Sequence, residues 1–147
     1  MSGLVLPSIP PLEVVACGVF LRQQDAARWL LVRATKHGEW GFPKGHQDPG
    51  EDLVTTALRE TVEETGIALL EIVGQPVVNR YVLPSGRRKT TVYFPAVTAT
   101  TEVILSDEHD AFRWASHSEI RTLLNHPVLI TRFSQTAVSW PAATTAV

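Results

Sequence analysis

Cysteine is almost missing: the 147-residue chain has one, Cys17. No disulfide within the chain can staple the fold, and a chain of this length does not need one. Inside the apolar run Val14–Leu21 that thiol reads as a small core residue rather than a nucleophile. Long hydrophobic runs are missing too. No stretch approaches the ~20 apolar residues that span a bilayer, and Met1–Pro11 carries three prolines and no basic leader. Strong charge of either sign is also absent, with 13 Lys and Arg against 15 Asp and Glu, a net charge of −2. That excludes the broad basic surface on which long nucleic acid is held. It leaves room for a small anion gripped by a few local cations and a metal. These absences give the expectation of a cytoplasmic protein with no membrane and no long nucleic-acid partner.

The composition is that of an ordinary globular chain, 44% apolar and 19% charged, and the length suits one domain over 1–147. Residues 1–11 read as an arm and 141–147 as a loose tail. Val- and Leu-rich runs predict strands over Glu13–Arg22 and Arg28–Ala34. Gly38–Gly50, with four Gly and two Pro, reads as loop with a short strand at Trp40–Phe42. Glu51–Thr65 holds no Gly or Pro and is followed by Gly66, which predicts a helix with a glycine stop. Strands follow at Ala68–Leu83 and Arg87–Thr98 about the turn Pro84-Ser85-Gly86, then at Ala111–Ala115. Ser116 or Ser118 caps a helix to about Leu124. Asn125-His126-Pro127 breaks it, and a last helix runs to about Trp140. The order predicts an α/β fold, a mixed β-sheet sandwiched between α-helices.

The chemistry concentrates on the first helix. At about 100° per residue, Glu60, Glu63 and Glu64 fall within a roughly 100° arc. Val54, Leu58, Thr61, Val62 and Thr65 fall opposite, as the expected core face. Three carboxylates within a turn repel one another, and near the helix C-terminus the macrodipole disfavours them further. A hard divalent cation with oxygen ligands resolves that repulsion.

The spacing around the helix is specific. Gly45, Glu51, Arg59, Glu60, Glu63, Glu64 and Gly66, followed by Ile67, match Gly-x5-Glu-x7-Arg-Glu-x-x-Glu-Glu-x-Gly-aliphatic. This segment, 45–67, resembles the Nudix box. Thr61 departs from it, standing where the family usually has an aliphatic residue. The resemblance implies a Nudix fold and a Mg²⁺-dependent hydrolase, with Mn²⁺ as a substitute. It implies metal ligation by the Gly45 carbonyl and by Glu60, Glu63 and Glu64. It implies an Arg59–Glu51 pair holding the loop to the helix, and a glutamate of the box or beyond it that activates water.

Three flanking segments sharpen the resemblance. WGFPKGHQDPGED (Trp40–Asp52), KTTVY (Lys89–Tyr93) and LSDEHDAFRW (Leu105–Trp114) are similar to segments of asymmetrical diadenosine tetraphosphate hydrolases. Lys89, Thr91 and Tyr93 alternate onto one face of a strand. Tyr93 there either joins the core or stacks on a base, and the charge of Arg87, Arg88 and Lys89 favours the second. Lys44 and His46 flank Gly45 as phosphate contacts. The resemblance adds Glu108 as a further metal ligand or the water-activating base. It places His109 as a substrate contact or loop anchor, and Phe112, where the family often has Tyr, as a second stacking ring. The implied substrate is a small dinucleoside polyphosphate. The rival substrates are dihydroneopterin triphosphate and the 5′-triphosphate end of RNA, and the rival class is a catalytically silent nucleotide-binding module. Monomer and weak dimer are not distinguished.

Overall fold

Alternation of apolar side chains along two long strands sets the architecture. A computed structural model describes residues 3–10 and 13–141. Strand β1 (Val14–Gln23) runs parallel to β7 (Arg88–Thr98), in continuous register from Val14 opposite Lys89 to Gln23 opposite Thr98. Every other pairing is antiparallel. β2 (Trp29–Ala34) joins β1 at Arg22 and carries β3 (Trp40–Gly41) and β8 (His109–Ala115). β4 (Lys44–His46) pairs with β1 at Ala16–Gly18. β5 (Glu71–Ile72) and β6 (Val77–Val82) both pair with β7.

Because successive side chains on a strand point to opposite faces, this sheet has two cores. Cys17, Val19 and Leu21 of β1 and Val92, Phe94 and Ala96 of β7 meet Leu53 and Ala57 of helix α1 (Leu53–Thr65). On the other face Phe20, Leu31, Phe42 and Tyr93 meet Ile120 of α2 (His117–Leu123) and Leu129 and Phe133 of α3 (Pro127–Val138). The expected sheet between helices is therefore present. Burial pushes the Cys17 thiol up to about 12, which leaves it an inert core group. Among the described residues no helix is long and apolar enough to cross a membrane.

Local chemistry explains the helix ends. The Asp52 carboxylate accepts from the Thr55 amide at 2.7 Å, and Gly66 closes α1 in the left-handed conformation, φ 73°. Ser116 and Glu119 form a reciprocal capping box at α2. His117 Nε2 lies 2.8 Å from Ser134 Oγ, tying α2 to α3. Trp29 makes edge contacts with Phe133 and with Trp140.

Three expectations need correction. Lys44–His46 is a strand, not loop; its three residues are too few to show a period. Ala68–Leu83 is two strands, because the stretch between them holds Gly74 and Pro76. On α1 the buried residues are Leu53, Thr56, Ala57, Thr61, Glu64 and Thr65, while Val62 is exposed. Small residues, and not the bulkiest apolar ones, let this helix approach the sheet. Thr61 fits there by donating its hydroxyl to the Ala57 carbonyl at 2.7 Å. Residues 142–147 of the expected tail, and 1, 2 and 11 of the arm, lie outside the described residues; Val5 is tied to Gln75 Oε1 through its amide, at 2.9 Å.

Gly18 carries a steric demand. A Cβ there falls 2.0 Å from the Pro43 carbonyl oxygen and 2.6 Å from Lys44 Cβ. Gly41 meets nothing within 4 Å. Gly18→Ala is therefore expected to lower stability by about 1–3 kcal/mol in chemical denaturation, with Gly41→Ala within about 0.5 kcal/mol of the parent. Equal effects of the two changes contradict this account of the β1–β4 approach.

Candidate active site

Gly45 lies against the Glu60 carboxylate of α1. Its missing side chain faces α1: a Cβ there lands 2.0 Å from the Glu60 carboxyl carbon and Oε2. The Glu60 carboxylate thus lies directly on the backbone of β4. Glu64, one turn on, is 6% exposed and accepts from the Lys44 amide at 3.1 Å. Burial pushes its carboxyl up to about 8, with the nearby Glu60 charge adding to the rise and the Lys44 amide opposing it. Burial raises Glu60 in the same direction, against the pull of Arg59.

Arg59 binds this corner together. Its Nε and Nη2 grip the two oxygens of Glu51 at 2.6 and 2.9 Å, a bidentate fork. Nη2 also donates to the His46 carbonyl at 2.9 Å, and Nη1 reaches Glu60 at 2.8 Å and Glu63 at 3.2 Å. Glu51 further accepts from the Asp48 amide and the Thr56 hydroxyl. The Arg59 bond, with those of Asp48 and Thr56, holds its carboxyl down to about 2. Arg59 is in turn held firmly protonated by Glu51. One guanidinium fastens loop, strand and helix.

The other face of the same strand carries basic side chains. Lys44 and His46 alternate away from Gly45, and across β1 they share rows with β7 and β6. Lys44 lies opposite Gly18, which pairs with Tyr93, which pairs with Val77. His46 lies opposite Ala16, then Thr91, then Asn79; beside them Lys89 pairs with Tyr81. These rows floor a cleft of about 210 Å³, lined by Lys44, Asn79, Tyr81, Thr91 and Tyr93 and walled by His126–Leu129. Burial lowers the pKa of Lys44, and the charge of Lys89 lowers it further. Burial lowers Lys89 too. Two crowded, partly desolvated ammonium groups attract an anion strongly.

A carboxylate corner over a bare glycine, backed by a cationic cleft, can be compared with known proteins. The NUDIX domain profile matches residues 12–134. The chain belongs to the Nudix family. It is 42% identical over 117 residues to an asymmetrical bis(5′-nucleosyl)-tetraphosphatase of Rattus norvegicus, covering 71% of this chain and 80% of that protein. It is 32% identical over 127 residues to an RNA pyrophosphohydrolase of Caulobacter vibrioides, covering 73% and 74%. Among solved structures, a C. elegans Ap4A hydrolase binary complex matches with a TM-score of 0.76 and 28% identity, over 86% of this chain and 99% of that one.

Nudix hydrolases generally use divalent metals, and this corner suits one. Its donors are hard oxygens, and the Glu60 carboxylate lies directly against the backbone at Gly45. Among the described residues no three His, Cys, Asp or Glu side chains converge into a ready-made cage; Arg59 draws Glu60 and Glu63 to itself instead. A Mg²⁺-sized ion needs only one or two carboxylates when substrate phosphates complete its shell.

The other expected residues of this Nudix site are distributed unequally. Glu108 is exposed in the turn before β8, and its charge acts on both Glu60 and Glu64. That turn is anchored by the Thr35 amide, which donates to the Glu108 carbonyl at 2.9 Å. His109 is half-buried with Nδ1 unpartnered among the described residues, and burial lowers its pKa. Tyr93 is 1% exposed, its ring stacked on Phe20 at 4.8 Å and against Phe42. The expectation that it stacks on a base is thereby corrected: packing has taken its faces. Phe112 shares a strand face with Trp114, which packs into the α1 core. It is exposed on that side, away from the cleft floor. Asn79, Tyr81 and Gly18 were not singled out from sequence. Only the β6–β7 register brings Asn79 and Tyr81 beside Thr91 and Lys89.

The Glu64 shift has a sign that can be measured. Its folded pKa lies above the ordinary ~4.3, so without metal the folded state holds the extra proton between about pH 4.5 and 8. Stability then falls as pH rises through that window. Glu64→Gln removes the titration. The variant is expected to gain on the parent between pH 4.5 and 8, by a few kcal/mol in order of magnitude. A pH-independent difference in urea unfolding with chelator present contradicts the buried, proton-holding carboxyl.

Proposed function

We propose that this Nudix chain hydrolyses dinucleoside tetraphosphates asymmetrically. Water adds to one phosphorus of the bridge, the P–O anhydride bond on its far side breaks, and diadenosine tetraphosphate gives ATP and AMP. The observation that carries this is the arrangement about β4. Carboxylates lie on one side of a three-residue strand, and the Lys44 side chain and the exposed ring of Tyr81 lie on the other. A polyphosphate attached to a base needs both. The named activities of the rat and C. elegans proteins support the same reading.

Within it, the Gly45 carbonyl, Glu60, Glu63 and Glu64 hold the divalent ion, with Glu108 able to join them, and Mg²⁺ is the ion proposed. When bound, such an ion neutralises phosphate oxygens and makes its water more acidic. Lys44 and Lys89 draw in the bridging phosphates, and His46 adds a contact beside Lys44. Arg59 and Glu51 touch no substrate; they position the carboxylates. One of Glu63, Glu64 and Glu108 takes the proton of the attacking water.

A second reading, attack on the 5′ end of RNA, is favoured by the likeness to the Caulobacter protein. The net charge of −2 and the short basic run Arg87–Lys89 offer little to a long phosphate backbone.

Product analysis in ¹⁸O-labelled water decides between them. Diadenosine tetraphosphate with Mg²⁺ is expected to give ATP and AMP in equal amounts, with the label in one of them. Two ADP molecules, or faster cleavage of a triphosphorylated RNA oligonucleotide, overturns the assignment. Glu64→Gln is expected to lower kcat by about 10²–10⁴-fold; parent-like turnover removes Glu64 from the metal site.

A further inference from the structure

Two buried threonines on the core face of α1 look alike but are bonded differently. Thr56 and Thr61 are both 0% exposed. Each hydroxyl lies within reach of the carbonyl four residues back, Thr56 of Asp52 at 3.1 Å and Thr61 of Ala57 at 2.7 Å. That local bond is the ordinary use of a threonine inside a helix. Thr56 has a second acceptor, which Thr61 lacks among the described residues: Glu51 Oε1 lies 3.0 Å from its Oγ. A hydroxyl carries one proton. The Asp52 carbonyl already accepts the Thr56 amide at 3.1 Å, and a bond to an ionised acceptor is the stronger one. The proton of Thr56 therefore goes to Glu51.

This bond completes the shell of Oε1. The Asp48 amide and Arg59 Nη2 donate to the same oxygen at 2.9 Å each, while Oε2 accepts from Arg59 Nε at 2.6 Å. Of the three residues that donate to Oε1, Thr56 is the fully buried one; the Arg59 and Asp48 side chains are part-exposed and exposed. Its hydroxyl fixes the roll of the Glu51 carboxylate from the core side, and with it the plane in which the Arg59 fork lies. Nη1 of that fork reaches Glu60 at 2.8 Å and Glu63 at 3.2 Å. A guanidinium is planar and rigid, so a turn at its Glu51 end is also a turn at its Glu60 end.

We infer that Thr56 is a positioning residue for the acid cluster: its hydroxyl sets Glu51, Glu51 sets Arg59, and Arg59 sets Glu60 and Glu63. This role rests on the hydrolase reading for its effect on turnover but not for its effect on Arg59. A methyl group in place of the hydroxyl sets an apolar surface against a charged oxygen, which withdraws from it. Losing a group that orients a metal ligand directly lowers metal affinity or activity by about 10–100-fold. Thr56 acts through Glu51 and Arg59, so about three- to tenfold is expected.

The test compares Thr56→Val, Thr56→Ser and Thr61→Val in the whole chain. Exchange of the Arg59 Nε proton with water, followed by NMR without metal, is expected to quicken about threefold or more in Thr56→Val. Thr56→Ser, which keeps the hydroxyl, and Thr61→Val are expected to stay within about twofold of the parent. Mn²⁺ affinity, read by electron paramagnetic resonance, and kcat on diadenosine tetraphosphate are expected to fall about three- to tenfold in Thr56→Val, with KM unchanged. Thr56→Ala, a second variant without the hydroxyl, is expected to match Thr56→Val, so a folding defect in one of them decides nothing by itself. Equal effects at positions 56 and 61, or a Thr56→Ser variant that loses as much as Thr56→Val, overturn the inference. If no dinucleoside tetraphosphate is cleaved while proton exchange and Mn²⁺ affinity still single out position 56, the positioning role stands and the hydrolase reading falls. If Thr56→Val and Thr56→Ala turn over like the parent, the hydrolase stands and the positioning role falls.

Discussion

The site depends on one contact, the Glu60 carboxylate resting on the bare Cα of Gly45. Any side chain there displaces the Glu60 carboxylate from its seat. With the helix seated, Glu64 reaches the Lys44 amide, and Arg59 reaches both Glu51 and the His46 carbonyl. The seating also creates the electrostatic problem that function exploits. It desolvates Glu60 and Glu64 together, and a proton on Glu64 and the guanidinium of Arg59 are what the chain itself has to offset their charge. A divalent cation is the better counter-ion for such a set.

Strand β4 separates two kinds of chemistry by alternation alone. Gly45 faces the helix and its acids; Lys44 lines the cleft, and His46 shares its strand face. Across the sheet, Ala16 and Gly18 keep β1 low between them and Thr91 and Tyr93. On the proposed reading, the phosphate chain of a bound nucleotide crosses the edge of β4, from cations to carboxylates. The Gly18 contact with Pro43 sets where that edge lies. Backbone register thus sets the basic face and the acid cluster on opposite sides of one strand.

Much of this was legible in the sequence. The spacing from Gly45 to Gly66 marked the box, and the glycine stop at Gly66 follows from a local rule that needs no partner, while the helix expected from Glu51 starts at Leu53 with Asp52 as its cap. Glu64 was legible as an acid but not as a buried one. A helical wheel assigns charged residues to solvent, whereas here the buried arc of Leu53, Ala57 and Thr61 runs on to Glu64. Tyr93 was misread because an alternating strand shows which residues share a face, not what covers that face; Phe20, Phe42 and α3 cover it. Asn79 and Tyr81 had no local signal at all. Their place in the cleft comes from pairing with β7 across a turn, a non-local fact. Phe112 fell on the other face for the same reason, since the β2–β8 register decides its side.

The central claim is that seating the helix on Gly45 keeps a proton on the acid cluster until a cation replaces it. Proton release on metal binding tests this directly. Mg²⁺ can be titrated into the protein at pH 7 in buffers of different ionisation enthalpy, with the heat compared across them. Glu64 with a pKa of about 8 predicts release of close to one proton per bound site, reduced to near zero in Glu64→Gln. Binding with no proton release, or the same release from the variant, contradicts the account.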